Sequence, residues 1–164
     1  MAHFRTGEME KRQMPPAVAS THTRVMNLAY ILTKNACRFP DRDALIWGDR
    51  RWTWRQMDQA VSSLAVALAQ RGITKGDRIL VHSKNSEEML WSMFASFRLG
   101  AIWVPTNYRL TPDDVSGLSL SSGARAFLCD GDFPMHAAAV AASPRRPDFI
   151  WRLGAGDLGE RAVD

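Results

Sequence analysis

The segment 97–114 constrains the fold more than any other part of the 164-residue chain. Gly100 ends a run of helical periodicity, and residues 102–104 form a short apolar run typical of a buried strand. Thr111 can then cap a new helix, with Pro112 at its first position and two aspartates in its first turn. Helix, strand and helix in such close succession predict an α/β chain.

The same alternation extends along most of the chain. Apolar runs predict further strands at 78–82, 126–129 and 149–151, and periodic segments predict helices that begin at Asn27, Thr53, Ser86 and about Phe133. The pair Gly48-Asp49 separates the runs 44–47 and 51–53, which predicts an antiparallel hairpin. Right-handed crossovers place helices on both sides of such a sheet. The predicted fold is an open, mostly parallel α/β sheet with helices on both faces, plus a short antiparallel hairpin.

Periodicity also predicts which side chains face the core. On the four clearest helices the inward set is Leu28, Ile31, Leu32, Ala36, Met57, Val61, Leu64, Leu68, Met89, Met93, Phe94, Phe97, Val115 and Leu118. Large aromatic rings usually fill cores or the interfaces between subdomains. We expect this of the tryptophans on or beside predicted elements, which are Trp47, Trp52, Trp54, Trp91 and Trp103.

The length fits one domain with a substantial core. Residues 1–24 are expected to form a mobile arm, because Pro15-Pro16 interrupts a stretch without periodicity. Residues 25–153 carry the alternating pattern of one α/β subdomain. Residues 154–164 contain no closing element, and we expect them to be the flexible end of a truncated chain.

Charge and cysteine content exclude several functional classes. The net charge of +4 comes from basic residues dispersed among acidic ones, which argues against a nucleic-acid binder. Cys37 and Cys129 lie far apart, and the four histidines have no partners at ligand spacing, so no metal site is expected. Unpaired cysteines fit a reducing cytoplasm. No apolar run approaches the roughly 20 residues of a membrane span, and residues 1–24 lack the apolar block of a secretory signal.

The segment 154–159 matches the dinucleotide-binding pattern G-x-G-x-x-G and follows a predicted strand. No helix follows it, and Asp157 would place a carboxylate where pyrophosphate should approach. We therefore interpret this segment as a glycine loop.

Other candidate residues also favour structural roles. Glu87 and Glu88 complement the positive end of a helix, and so do Asp113 and Asp114. His82 lies near the ligand-binding edge of an α/β sheet but has no nucleophile at a recognisable spacing, which favours a structural histidine. Apart from the glycine motif, the residues themselves reveal no active site.

Several segments together resemble a known family. Residues 52–57 resemble the first core motif of the AMP-forming acyl-CoA synthetases, within the adenylate-forming superfamily. The turn 76–78 and the pair Asn85-Ser86 resemble its next strand and helix. Residues 97–107 resemble its second core motif, with Leu99 in place of the usual alanine. The resemblance covers about residues 27–130 and implies the N-terminal subdomain of an adenylate-forming enzyme.

The resemblance implies an enzyme that makes an acyl-adenylate from a carboxylic acid and Mg-ATP, and then passes the acyl group to CoA. The family's phosphate loop, nucleotide-binding residues, hinge and catalytic lysine belong to later segments. We therefore expect the chain to be an inactive N-terminal segment that binds no ATP, Mg²⁺ or CoA tightly. The expected substrate is a fatty or other hydrophobic acid, and we expect the fragment to self-associate through exposed apolar surface.

Arg109 is the one position where the resemblance suggests a ligand contact. In some relatives the corresponding residue approaches a phosphate of CoA, although Tyr108 here replaces the usual proline. A complete non-catalytic interaction module derived from this family remains an alternative, as does another adenylating relative such as a peptide-synthetase adenylation domain or a luciferase-like enzyme.

Overall fold

The structure is a computed structural model that describes residues 27–154. Its helices are α1 (Ala29–Arg38), α2 (Trp54–Gln70), α3 (Glu87–Leu99), α4 (Pro112–Ser122) and α5 (Pro134–Ala141). Its strands are β1 (Asp43–Trp47), β2 (Arg50–Thr53), β3 (Arg78–His82), β4 (Ile102–Pro105), β5 (Ala126–Asp130) and β6 (Phe149–Leu153). The expected arm 1–24 lies outside the described residues. The glycine motif and flexible end also lie outside them, apart from Gly154.

The strands form the two sheets that the sequence predicts. β3, β4, β5 and β6 make a parallel sheet in the order β4-β3-β5-β6. β1 and β2 form a separate antiparallel hairpin, with an irregular register between Asp43 and Leu45. The prediction of a mostly parallel α/β sheet with a short hairpin is therefore confirmed.

The order of the strands determines the layers. The chain moves outward from β3 to β4 and then crosses back past β3 to β5, so right-handed crossovers place α3 and α4 on opposite faces. Ile79 and Val81 face one apolar cluster with α1, α2 and α3, whereas Leu80 faces a second cluster with α4 and α5. Each face of β3 is therefore covered, as a parallel strand requires.

Short-range capping signals define the helix ends. The Thr53 side chain accepts a hydrogen bond from the Gln56 backbone N–H, and the Gln56 side chain bonds back to the Thr53 backbone. Thr111 and Asp114 make the same arrangement at the start of α4. Asn27 Oδ1 accepts a hydrogen bond from the Ala29 N–H at 2.8 Å, although the N-cap position of α1 is Leu28, one residue later than predicted. Gly100 ends α3 in the left-handed conformation, at φ 69°.

The predicted inward face of α1 is only partly correct. Leu32 is fully buried, but Leu28 and Ile31 are 59% and 55% exposed. The reason is that α1 packs mainly against α2 and α3, outside the layer that touches the sheet. A helix in that position buries a narrower stripe, here Ala29 and Leu32.

The predicted inward face of α3 is only partly correct, since Met89 and Phe94 pack against the core cluster without being fully buried. Its predicted residues Met89, Met93, Phe94 and Phe97 are only half-buried. The buried residues are instead Glu87, Trp91, Ser92, Ala95 and Ser96. Small residues let α3 approach its neighbours closely. The buried serine hydroxyls donate hydrogen bonds to backbone carbonyls of the same helix.

Leu118 and Trp47 also differ from the prediction. On α4 the expected Leu118 is exposed, and the small Ser119 is buried in its place. Trp47 lies near the tip of the hairpin and is 42% exposed. The hairpin does not join the main sheet, so its end extends beyond the core.

Candidate functional site at the carboxyl edge of the sheet

In an open α/β sheet a ligand-binding crevice forms where neighbouring connections diverge, which here is at the carboxyl ends of β3 and β5. The connection from β3 runs over one face of the sheet and the connection that reaches β5 runs over the other. Open α/β sheets bind ligands where the connections diverge in this way. His82 ends β3, Thr106 follows β4, and Asp130 ends β5, so the fold brings these polar groups to one edge.

His82 is fully buried at this edge. Its Nδ1 lies 2.6 Å from Thr106 Oγ1. The Thr106 hydroxyl donates its single proton to the Val81 carbonyl at 3.1 Å, so we assign the shared proton to His82 Nδ1. The second ring nitrogen, Nε2, is then an acceptor, and it is buried without a hydrogen-bond partner among the described residues.

His136, in the first turn of α5, stacks on His82. The ring centroids are 4.3 Å apart and the planes differ by 22°. His136 Nε2–H donates to the Leu110 carbonyl at 2.8 Å, because a carbonyl can only accept. Burial lowers the pKa of His82 to about 4, and repulsion from His136 contributes, while Asp130 opposes the shift. The His82 ring is therefore neutral at pH 7.

Charged groups at the mouth of the crevice pair with one another. Lys84 Nζ lies 3.0 Å from Asp132 Oδ2, and this hydrogen bond raises the pKa of Lys84. The Ser83 hydroxyl lies 2.6 Å from the Lys84 carbonyl oxygen and 3.2 Å from Asp130 Oδ2, so these two acceptors compete for its single proton. The Asp132 backbone N–H donates to the other Asp130 oxygen at 3.0 Å. Because Lys84 has a carboxylate partner, it is poorly suited to neutralise a polyphosphate.

Arg109 lies in the loop between β4 and α4 at this same edge, where it is exposed. Its guanidinium packs over the Tyr108 ring, with Cζ 5.4 Å from the centroid, and its Nε–H donates to Tyr108 Oη at 3.2 Å. Its backbone N–H donates to Asn107 Oδ1 at 3.0 Å. In the described part of the chain no carboxylate forms an ion pair with it, so this guanidinium can reach an external anion.

Glu87 has a partner that sequence reasoning missed. The Glu87 side chain is only 4% exposed, and its Oε1 accepts a hydrogen bond from Trp52 Nε1–H at 2.9 Å. Arg50, itself largely exposed, approaches the other oxygen at 3.0 Å. Glu87 thus connects the hairpin to α3, and no spacing in the sequence indicates this contact.

The remaining acidic candidates have the roles the sequence predicts. Glu88 and Asp113 lie in the first turns of α3 and α4. Asp114 accepts hydrogen bonds from the Thr111 hydroxyl and backbone, which lower its pKa. These residues stabilise helix starts, and none lies with a second carboxylate in an acid-base arrangement.

The described residues contain no cluster of metal ligands, and two apolar cavities among them are small. Among residues 27–154, no group of three His, Cys, Asp or Glu side chains could hold a metal ion. Two apolar cavities, of about 160 and 250 Å³, are smaller than the roughly 300 Å³ of the smallest typical ligand pockets. Cys129 is buried, and burial raises its thiol pKa to about 12, so it is not a nucleophile. The described helices also include none long and apolar enough to cross a membrane.

Comparisons with known proteins agree on one family. Residues 32–158 match the family described as AMP-binding enzyme. The chain is 30% identical over 139 residues to the long-chain-fatty-acid–CoA ligase FadD13 of Mycobacterium tuberculosis, covering 82% of this chain and 27% of the ligase. It is 29% identical over 133 residues to the fatty acid–acyl-carrier-protein ligase ScoC of Streptomyces coeruleorubidus, covering 81% and 25%.

A solved structure extends the agreement to the fold. A Mycobacterium tuberculosis fatty acyl CoA synthetase superposes with a TM-score of 0.72 at 28% identity, covering 81% of this chain and 27% of that one. The chain spans about a quarter of the length of these relatives. The matched segment includes almost the whole α/β sheet and its helices. The chain belongs to the AMP-binding enzyme family and corresponds to its N-terminal segment.

Proposed function

We propose that this chain is the N-terminal segment of an ATP-dependent, AMP-forming acyl-CoA ligase acting on a fatty or other hydrophobic carboxylic acid. The observation that carries the proposal is the family match across the sheet and its covering helices. The named functions of the fatty-acid ligases above support the substrate class. Residues 25–153 would form one supporting subdomain of the enzyme.

We infer that this segment alone does not catalyse the reaction. Displacement of pyrophosphate needs cations on the phosphates and a preorganised site around the transferring group. At the carboxyl edge Lys84 is paired with Asp132, and the described residues offer no metal cluster. ATP and Mg²⁺ would be bound by other segments of the ligase. ATP-dependent pyrophosphate release by the isolated chain, above the rate of a heat-denatured sample, would contradict this inference.

We propose that Arg109 binds a phosphate group of CoA. Its exposed guanidinium, without a carboxylate partner in the described region, fits a phosphate of the cofactor. In the complete ligase, Arg109→Ala should raise the KM for CoA by about 10- to 100-fold, the equivalent of one charge-assisted hydrogen bond, and leave the KM for ATP unchanged. Arg55→Ala is the matched control, because Arg55 is exposed but paired with Asp41. Equal effects of the two substitutions would refute the assignment.

Two alternatives keep the family but change the function. The chain could be a non-catalytic interaction module, or part of another adenylating enzyme such as a peptide-synthetase adenylation domain or a luciferase-like oxygenase. The acceptor thiol could also belong to a carrier protein, as the name of the ScoC ligase states for that relative. Determining the coding sequence beyond Asp164 separates the enzyme from the module: an open frame with a phosphate loop supports the ligase, and a stop codon supports the module. The specificity pocket encoded in that later sequence would separate the ligase from the other adenylating relatives.

Two further properties follow from the same proposal. The enzyme would act in the cytoplasm, since Cys37 and Cys129 are free thiols and fit a reducing compartment. The isolated chain would self-associate, because large apolar side chains such as Leu28 and Ile31 are exposed. Light scattering at increasing concentration tests the second point, and a constant monomeric mass would contradict it.

A further inference from the structure

We propose that His82 and His136 are positioning residues for the loop 107–110, which carries Arg109. The stacked rings hold this loop from both ends, through Thr106 on one side and the Leu110 carbonyl on the other. The role of Arg109 in CoA binding rests on the proposed function above. The positioning itself is a property of this chain and can be measured without CoA.

The contacts of the loop show why it needs support. Asn107, Tyr108 and Arg109 are exposed, and their hydrogen bonds stay within the loop. The Leu110 backbone N–H also bonds within the loop, to the Asn107 carbonyl at 3.0 Å. Within the described residues, the hydrogen bond from His136 to the Leu110 carbonyl is the one that joins this loop to another element. The Leu110 side chain also packs against the apolar cluster around Leu80, and together with this packing the hydrogen bond makes the loop geometry depend on where His136 is held.

His82 in turn determines the position of His136. The two rings stack at 4.3 Å, and Phe133 packs edge-on against His82 at 4.5 Å and against His136 at 5.2 Å. His82 is fully buried on the central strand β3, which cannot move without disturbing the sheet. At its other end His82 bonds to Thr106, the residue immediately before the loop. One rigid pair thus connects β3, the two ends of the loop and the start of α5.

The pair holds the loop only while His82 is neutral. His82 Nε2 is buried without a hydrogen-bond partner among the described residues, so an added proton on it would have no acceptor nearby. Protonation should therefore loosen the loop in acid.

Few other titratable groups act on this pair. From β5 the neighbours are Cys129 and Asp130, and Asp130 alone favours the charged form of His82. From the loop after β3, Lys84 lies 5.8 Å from the Phe133 ring. From the loop after β4, Tyr108 lies near enough to contribute to the raised pKa of Lys84. Asp130 is thus the single carboxylate that opposes the neutral state of His82.

Amide hydrogen exchange on this chain tests the proposal. The variants His136→Leu and His82→Leu remove the donors, whereas His136→Gln and His82→Asn keep an N–H at the equivalent position along the side chain. The leucine variants should lower the protection of the Arg109 and Leu110 amides by about tenfold, roughly the contribution of one hydrogen bond. In the amide-bearing variants the protection of the Arg109 and Leu110 amides should stay within about threefold of its value in the parent chain. Protection of the central β3 and β5 amides should not change.

Each other outcome counts against the proposal. If the leucine variants leave loop protection unchanged, or if the amide-bearing variants lose as much as the leucine variants, the histidines do not position the loop. If a leucine variant fails to fold, the parent chain supplies the test by NMR in acid. The loop amide signals should then shift with the same midpoint as the His82 ring, and independent midpoints would refute the coupling.

The two proposals can fail separately. If Arg109→Ala leaves the KM for CoA unchanged while the leucine variants loosen the loop, the assigned function of Arg109 is wrong and the positioning role is correct. If CoA binding needs Arg109 but the leucine variants leave the loop ordered, the positioning role is wrong.

Discussion

The buried contact between Glu87 and Trp52 provides a sharp test of the packing. The substitution Glu87→Leu removes the acceptor of the Trp52 indole N–H, which is bound at 2.9 Å in a mostly buried environment. Glu88→Leu is the matched control. Glu88 lies in the same first turn of α3, but no hydrogen bond or ion pair of its side chain occurs among the described residues.

The expected magnitudes follow from the contacts. Each glutamate loses the favourable interaction with the positive end of the helix, worth about 0.3–1 kcal/mol. Glu87→Leu also leaves the partly buried indole N–H of Trp52 without its acceptor, at a cost of about 1–3 kcal/mol. The ion pair with Arg50 adds little, because Arg50 is 61% exposed. Glu87→Leu should therefore destabilise the chain by about 2 kcal/mol more than Glu88→Leu.

Urea unfolding followed by tryptophan fluorescence measures both variants. A double-mutant cycle with Trp52→Phe isolates the contact, since removing both partners should cost less than the sum of the single substitutions. We expect a coupling free energy of about 1 kcal/mol or more. Equal destabilisation by the two glutamate variants, or a coupling free energy near zero, would refute the argument that the hairpin is held to α3 through Glu87.

Three further predictions concern pH, glycine conformation and thiol reactivity. The folded-state pKa of His82, about 4, lies below its ordinary value of 6.5, so as pH falls the unfolded chain takes up a proton first. The contribution of His82 to the free energy of unfolding should be fully present above pH 6.5 and should decrease by about 3 kcal/mol as the pH falls to about 4. Urea midpoints that do not change across this pH range would contradict the assignment. Gly100→Ala should destabilise by about 1 kcal/mol, because φ is 69° and a Cβ would lie 3.1 Å from Lys75 Cγ. In the same unfolding assay Gly117→Ala, in the interior of α4 with open space around it, should be stabilising by up to about 1 kcal/mol, and the same sign for both would refute the conformational argument. Ellman's reagent should modify exposed Cys37 rapidly and buried Cys129 slowly, since the pKa of Cys129 is raised to about 12, and a fast reaction that survives Cys37→Ala would show that Cys129 is accessible.

The elements of the fold were predictable because their signals are local. Thr53 and Thr111 each satisfy backbone N–H groups within one turn, and Gly100 adopts the left-handed conformation that ends a helix. The alternation of these signals with short apolar runs is sufficient to predict a parallel sheet covered on both faces. The Arg109 candidate came from the resemblance to the family, and the structure places it at the carboxyl edge of the sheet.

The errors occurred where packing partners decide the outcome. On α3 the most apolar residues were predicted to form the buried face. Close packing against α2 and the sheet instead places the small residues Ser92, Ala95 and Ser96 in the fully buried positions. Periodicity identifies an apolar stripe without showing how near a neighbouring element comes. Small polar residues can be buried once their hydroxyls bond to carbonyls of the same helix.

The sequence by itself determined the α/β class and the helix boundaries, because capping, turn formation and strand hydrophobicity depend on residues close together in the chain. The family came from the resemblance of short segments, such as residues 97–107, to known motifs. Only the tertiary structure decided that Glu87 binds the Trp52 indole and that His82 stacks on His136, since those partners lie 35 and 54 residues apart. Such pairs meet only after the crossovers have arranged the strands, and a side chain's burial and charge state depend on that arrangement.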